Sequence, residues 1–245
     1  MNKLIKRIFD ILVSLFGLIF ASPVVLIFAL AVFIQDGGNP FYIPNRVGKK
    51  GNLFKMYKLR SMVVNADSNL VDSTSANDSR ITSVGRLIRK FKLDEIIQLF
   101  NVLKGEMSLV GPRPNVQREV DLYTDLEKKL LDVKPGITDI SSIIFSDESE
   151  ILKDSKDPDI DYNQLIRPWK GYFGLLYINN SNIKLDIYLI YLTVIAIINR
   201  QKALKRISQL TKKLNASEEA CEIAKRLKPL KPMPPFGSND IVYKR

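Results

Sequence analysis

The sequence predicts an α+β chain, mainly helical, with a re-entrant N-terminal membrane helix broken at Ser22-Pro23. A small β-hairpin, cytoplasmic catalytic helices and interfacial amphipathic helices complete the expected fold. Three observations lead there. An uncharged apolar run from Ile11 to Ile34 has cations on both flanks. Two β-like segments bracket the glycine-containing loop Arg46–Asn52. Leu87, Ile88, Phe91, Ile96, Leu99, Phe100 and Leu103 recur at the three- and four-residue spacing of an amphipathic helix.

The apolar run has 24 residues. As a straight helix it would be about 36 Å long, enough for a hydrocarbon core of roughly 30 Å. Pro23 stands inside it, and proline removes a backbone donor and kinks a helix. Ser22 is expected to take up a carbonyl freed there. Lys3, Lys6 and Arg7 precede the run; Arg46, Lys49, Lys50, Lys55, Lys58 and Arg60 follow it. The positive-inside tendency wants both flanks in the cytoplasm. Each half of a helix broken at Pro23 would be about 18 Å, too short to cross. The expectation is therefore a helix–break–helix that enters and leaves on one face, with a single bitopic span as the alternative. Asp10, at the lip of the run, is expected to pair with Arg7 or to cap the helix.

Next comes the hairpin, Phe41–Ile43 and Leu53–Leu59, which would set Lys58 and Arg60 near the membrane surface. There they would hold lipid headgroups or a substrate phosphate. Asn65 to Asp78 is polar and expected to be a mobile loop, followed by Arg80. The central amphipathic stretch then carries Arg86, Arg89 and Lys90 about a turn before the adjacent carboxylates Asp94 and Glu95. A rigid Gly-Pro-Arg-Pro turn delivers Arg113 between Pro112 and Pro114. Carboxylates beside several guanidinium groups suit a phosphate-bearing substrate and a divalent metal; ordinary ion pairs on a solvated helix are the alternative.

Composition narrows the chemistry. Lys and Arg number 37 against 26 Asp and Glu, a net charge of +11. This favours an anionic membrane surface, phosphorylated substrates or nucleic acid. The cations flank an apolar run instead of interleaving with aromatics, so nucleic acid is not expected. The chain has no histidine, which excludes a His-based triad, an HExxH zinc site and a His base. The single Cys221 excludes a disulfide framework.

Several segments together resemble the bacterial sugar transferases known as monotopic phosphoglycosyl transferases. These are Lys6-Arg7-x-x-Asp10, Ser22-Pro23, Phe54-Lys-x-Tyr-Lys-x-Arg-Ser-Met62 and Gly85-x-x-Ile-Arg89. The long segment from Leu93 to Pro114 and Lys134-Pro-Gly-Ile-Thr138 complete the pattern. The resemblance covers roughly Lys6 to Arg200. It implies transfer of a sugar 1-phosphate from a nucleotide sugar, usually a UDP-sugar, to a polyprenol phosphate such as undecaprenyl phosphate, with release of UMP. It also implies Mg2+ dependence and a covalent intermediate on Asp94. Asp94 and Glu95 are then the catalytic and metal-binding residues. Arg89, Arg113, Lys58, Arg60, Arg80, Pro112 and Pro114 are expected at the phosphates. Asp186 matches an acidic position with a structural or substrate role. The expected place is the cytoplasmic face of the bacterial inner membrane. Expected partners are polyprenol phosphate, the nucleotide sugar, inner-membrane lipids and downstream glycosyltransferases, with a homo-oligomer left open. A catalytically inactive, membrane-anchored scaffold of the same fold is the alternative.

The chain departs from the pattern at Lys92, where Ser or Thr is common, and at Ile97, where Pro is common. It departs again over Asp139–Glu150, which replaces a Gly-Arg-containing loop. The expected divisions are 1–36 (membrane helix), 37–200 (catalytic domain) and 201–245 (helical and Pro-rich extension). Within these, Val116–Asp132 is expected as one amphipathic helix. Asp147, Glu148 and Glu150 are expected in a solvated acidic loop, with binding of metal or sugar hydroxyls as the alternative. Trp169, Tyr172, Phe173 and Tyr177 are assigned to the core, and Ile187–Ile198 to a helix on the membrane or packed under the re-entrant one. Ser208–Lys228 should be a polar helix and Pro229–Pro235 an extended surface tail.

Overall fold

The computed structural model describes residues 3–66 and 73–244, so the centre of the polar Asn65–Asp78 stretch lies outside the described residues. Helix α1 spans Lys3–Asp36 and has Pro23 inside it. The expected break is absent as an interruption of the helix. Pro23 cannot donate to the carbonyl four residues back, and Ser22 Oγ donates to that carbonyl, Ile19 O, at 2.9 Å.

One folded body grips both ends of α1. At the first end, Lys6 pairs with Asp10 at 2.6 Å and with Asp186 at 3.0 Å. Ser108 Oγ donates to Asp10 at 2.9 Å. Arg7 does not pair with Asp10. It donates to the carbonyls of Val102 and Leu103. At the other end, Asp36 accepts two hydrogen bonds from the Arg60 guanidinium. Between these points Ala29 and Val32 pack with Leu59 and Ile88. The outward face, including Phe16, Phe20, Ile27, Leu30 and Ile34, is exposed.

The hairpin forms as expected, in two rungs. β1 (Phe41–Tyr42) pairs antiparallel with β4 (Lys58–Leu59), and β2 (Asn45–Val47) with β3 (Leu53–Lys55). Strand β2 extends into the stretch expected as loop, and a 3-10 turn at Lys49–Gly51 closes the ribbon.

The central stretch is three short helices, not one. α2 is Ser83–Lys90, α3 Leu93–Ile96 and α4 Gln98–Lys104. Lys92 adopts φ 55°, a left-handed conformation that ends one helical direction and starts another. Gly85 in α2 is pressed against the hairpin exit: a Cβ there would lie 1.9 Å from Ser61 O.

β5 (Ser108–Val110) pairs in parallel with β6 (Gly136–Thr138), which sets Gly-Pro-Arg-Pro beside Pro-Gly-Ile-Thr. The approach is so close that a Cβ on Gly136 would sit 2.1 Å from Gly111 N. The expected helix over Val116–Asp132 is α5 (Gln117–Val120), α6 (Asp125–Lys128) and a 3-10 turn, Lys129–Asp132. Its division has a local cause: Thr124 and Glu127 form a capping box that starts α6 afresh.

Helices α7 (Ile140–Ile144), α8 (Glu148–Ile151) and α9 (Pro158–Asp161) lead to a π-turn at Tyr162–Ile166 and then α10 (Arg167–Asn180). Next are α11 (Ile183–Ile198), α12 (Arg200–Lys213) and α13 (Glu218–Lys225). Their buried residues form one core: Ile140, Ile143, Ile144, Phe173, Leu189, Leu192, Ile207 and Ala220. Each large member buried there contributes about 1.5–3 kcal/mol. Trp169, Phe173 and Tyr177 are in this core, as expected. α11 buries Leu185, Leu189 and Leu192 and exposes Ile187, Tyr191, Val194 and Ile198. The polar helix expected over Ser208–Lys228 is a hairpin of α12 and α13. The proline-rich tail is extended and surface-packed: Met233 N donates to Gln164 O, and Phe236 stacks edge-on against Tyr172.

Candidate active site

Asp94 and Glu95 occupy the first turn of α3, where the helix dipole favours anions. Glu95 is fastened: Arg113 Nη2 donates to its Oε1 at 2.5 Å. Asp94 has no hydrogen bond or ion pair among the described residues. The adjacent carboxylates therefore have different surroundings, as two neighbours on a helix, about 100° apart, can.

Their electrostatics diverge in the same way. Burial pushes the Asp94 carboxyl up, and the neighbouring Glu95 charge adds to this; Lys58, Arg89 and Arg113 pull it back. Burial also acts on Glu95, but Arg113, Lys92 and Lys58 outweigh it and hold that carboxyl well below the usual range. Lys58 falls to about 8, chiefly through burial, with Arg113 adding and Asp94 and Glu95 opposing. Glu95 in turn raises Arg113 above its ordinary value.

Four of the sequence-predicted residues thus meet: Lys58 from β4, Asp94 and Glu95 from α3, and Arg113 from the proline-flanked turn. Arg89, from α2, acts on Asp94 through its field and donates to Ser61 Oγ at 3.5 Å. It pairs with neither Asp94 nor Glu95. Pro112 and Pro114 are buried and brace Arg113; Gly136 N donates to the Pro112 carbonyl at 2.9 Å.

The remaining candidates are engaged elsewhere. Arg60 is bound to Asp36 and to the Asn39 carbonyl, so it ties down the end of α1. Arg80 pairs with Asp78 at 2.7 Å and donates to Ala66 O. Asp186 is fully buried under α1, accepting from Tyr177 Oη at 2.7 Å and pairing with Lys6. Of its two expected roles the structural one fits. Ser22 and Pro23 shape α1 and lie apart from the carboxylates.

Two features were missed from sequence. Asn101, fully buried, joins α4 to the hairpin: its side chain accepts from Tyr57 N and donates to Lys55 O. Only its place inside the long motif pointed to it. The acidic segment after Phe145 is not a solvated loop. Asp147 pairs with Arg200 at 2.7 Å, and Glu148 pairs with Lys170. Glu148 is also within the fields of Arg113 and Lys92, beside the site.

A divalent cation would find few fixed donors here. Among the described residues no group of three or more metal-ligating side chains forms a cage. Magnesium commonly takes one or two carboxylates and completes its shell with substrate oxygens and water. The unpartnered Asp94, with Glu95 beside it, fits an ion shared with a phosphate ligand.

The family described as bacterial sugar transferase matches residues 1–200. A Salmonella typhimurium protein named undecaprenyl-phosphate galactose phosphotransferase is 38% identical over 217 residues, 82% of this chain and 42% of that protein. A Klebsiella pneumoniae protein named UDP-glucose:undecaprenyl-phosphate glucose-1-phosphate transferase is 37% identical over 79% of this chain and 40% of its own. The Sinorhizobium fredii exopolysaccharide production protein ExoY is 33% identical over 78% of this chain and 84% of its own. This chain spans less than half the length of the first two relatives and most of the third.

Proposed function

The chain belongs to the bacterial sugar transferase family, and on that premise we propose that it transfers a sugar 1-phosphate from a UDP-sugar to undecaprenyl phosphate. The observation that carries this is the unpartnered Asp94 carboxylate beside Lys58, Arg89 and Arg113, next to a Glu95 that Arg113 already holds.

The reaction runs in two displacements. An Asp94 oxygen attacks the sugar-bearing phosphorus, the bond from that phosphorus to the bridging oxygen breaks, and UMP leaves with that oxygen. A phosphate oxygen of undecaprenyl phosphate then attacks the same phosphorus. The aspartyl–phosphorus bond breaks, giving the lipid diphosphosugar and free Asp94. Covalent catalysis divides one difficult meeting of anions into two steps. Lys58, Arg89 and Arg113 hold the phosphates and stabilise the charge that builds on them. Glu95 orients Arg113 and, with Asp94, would hold Mg2+. When bound, the ion screens donor phosphates from the attacking carboxylate. No step requires a histidine.

Membrane placement has its own support. The anchored ends of α1, near Lys6 and Asp36, are 30 residues apart, about 45 Å along a straight helix. A crossing helix would present those ends to opposite sides, yet one body holds both. This favours re-entrant, one-sided insertion at the cytoplasmic face, with the exposed apolar face of α11 against the same membrane. The test is the full chain with undecaprenyl phosphate, magnesium and a panel of UDP-sugars. UMP release, and a glycosyl-phosphate adduct on Asp94 by mass spectrometry, are expected. Turnover with the adduct on another residue would refute the nucleophile assignment. No release with any donor would favour the inactive scaffold.

A further inference from the structure

Arg113 faces two carboxylates, and only one belongs to the catalytic pair. On one side it bonds Glu95; on the other it lies in the field of Glu148, the first residue of α8. Glu148 is ion-paired with Lys170 of α10 and also feels Lys92. Glu148 thus bonds one cation and lies within the fields of two more, Arg113 of the site among them.

The two members of the Glu148–Lys170 pair are held differently. The Lys170 side chain is 16% exposed, and its ammonium sits 4.8 Å above the Tyr162 ring and 3.5 Å from Tyr162 Oη. Packing and the cation–π contact fix it. Glu148 is 33% exposed and opens a helix of a single turn. One rotation about its side-chain bonds would carry it into solvent. Lys170 and Arg113 also line one small cavity, with Glu127, Asp139, Tyr162 and Arg167 in its wall.

We propose that Lys170 is a further binding residue for the donor's diphosphate, and that Glu148 occupies its place until the donor arrives. This rests on the phosphosugar-transfer reading above and names a residue that its two displacements do not use. Glu148 holds the Lys170 ammonium by an ion pair in the empty enzyme. It yields to a dianion because it carries one charge where the donor carries two.

The experiment uses the full chain in lipid nanodiscs, with magnesium pyrophosphate as a probe that needs neither the right sugar nor turnover. Calorimetry should give a Kd about tenfold weaker for Lys170→Ala, as expected for one lost charge-assisted contact. Glu148→Gln should bind about threefold tighter or better, because a competing charge is gone. In the Lys170→Ala background the Glu148 substitution should gain less than in the wild type, because only its field at Arg113 is left to relieve. Glu150→Gln, an exposed neighbour, controls for a general loss of negative charge and should leave Kd unaltered. Weaker or unchanged binding by Glu148→Gln, additive effects in the double variant, or an equal gain from Glu150→Gln would each overturn the proposal. So would wild-type protein that does not bind the probe. A chain that shows the expected pattern but releases no UMP from any UDP-sugar would uphold the Lys170 site and refute the transfer reading.

Discussion

The charges beneath the first end of α1 and the charges around Asp94 use the same side-chain chemistry to opposite ends. Under α1, Lys6 is shared by Asp10 and Asp186, while Ser108 and Tyr177 donate to the same carboxylates. Around Asp94, three cations press on a carboxylate that bonds none of them. The first cluster is complete as folded. The second has spare positive field and a carboxylate that bonds none of it, as the proposed anionic donor requires. A buried charge cluster therefore indicates function through its unfilled valences, not through its burial.

Substitutions can sharpen that contrast. The largest effect is expected from Asp94→Asn, which removes the proposed nucleophile: UMP release should fall about 10⁴-fold or more with the melting temperature nearly unchanged. Lys6→Met should do the reverse. It leaves buried Asp186 without its cation and should cost about 3–5 kcal/mol in thermal or denaturant unfolding. If Lys6→Met instead stopped turnover in a fully stable protein, the two clusters would not differ as described.

A smaller effect is expected from pH. Lys58 titrates near 8 when folded and near 10.5 when unfolded. Below about 8 it is charged in both states. Between the two values the folded chain has released a proton that the unfolded chain keeps, so this group adds stability as pH rises through that window. For activity the sign is opposite: the cation proposed to bind phosphate disappears, and kcat/KM should fall as pH rises through about 8. Lys58→Arg should lose that alkaline limb, since a guanidinium stays charged. The smallest effect is expected for Ser22→Ala, about 1 kcal/mol from the lost bond to Ile19 O, read as a lowered melting temperature in nanodiscs.

Much of this was legible in the sequence where a residue's role is local. The apolar run, the hairpin and the serine repair before Pro23 follow from short-range rules. Asp94, Glu95 and Arg113 were legible because one motif carries all three. What failed was partner choice. Arg60 and Arg80 look like phosphate ligands in one dimension, but Asp36 and Asp78 hold them. The three-way division of the central helix was hidden because its apolar spacing continues across Phe91 and Lys92. No glycine or proline announces the left-handed residue there. Glu148 was assigned to solvent because its partner, Lys170, is 22 residues away on another helix.

The tie between Lys6 and Asp186 also bears on how the chain is made. These residues are 186 − 6 = 180 positions apart. At roughly 5–20 residues per second, translation needs about 9–36 s to supply the second after the first. The apolar helix is thus synthesised well before its first end can be latched. During that interval the bilayer or a holdase chaperone must shelter it, and delay at this stage is where misassembly of the nascent protein would begin.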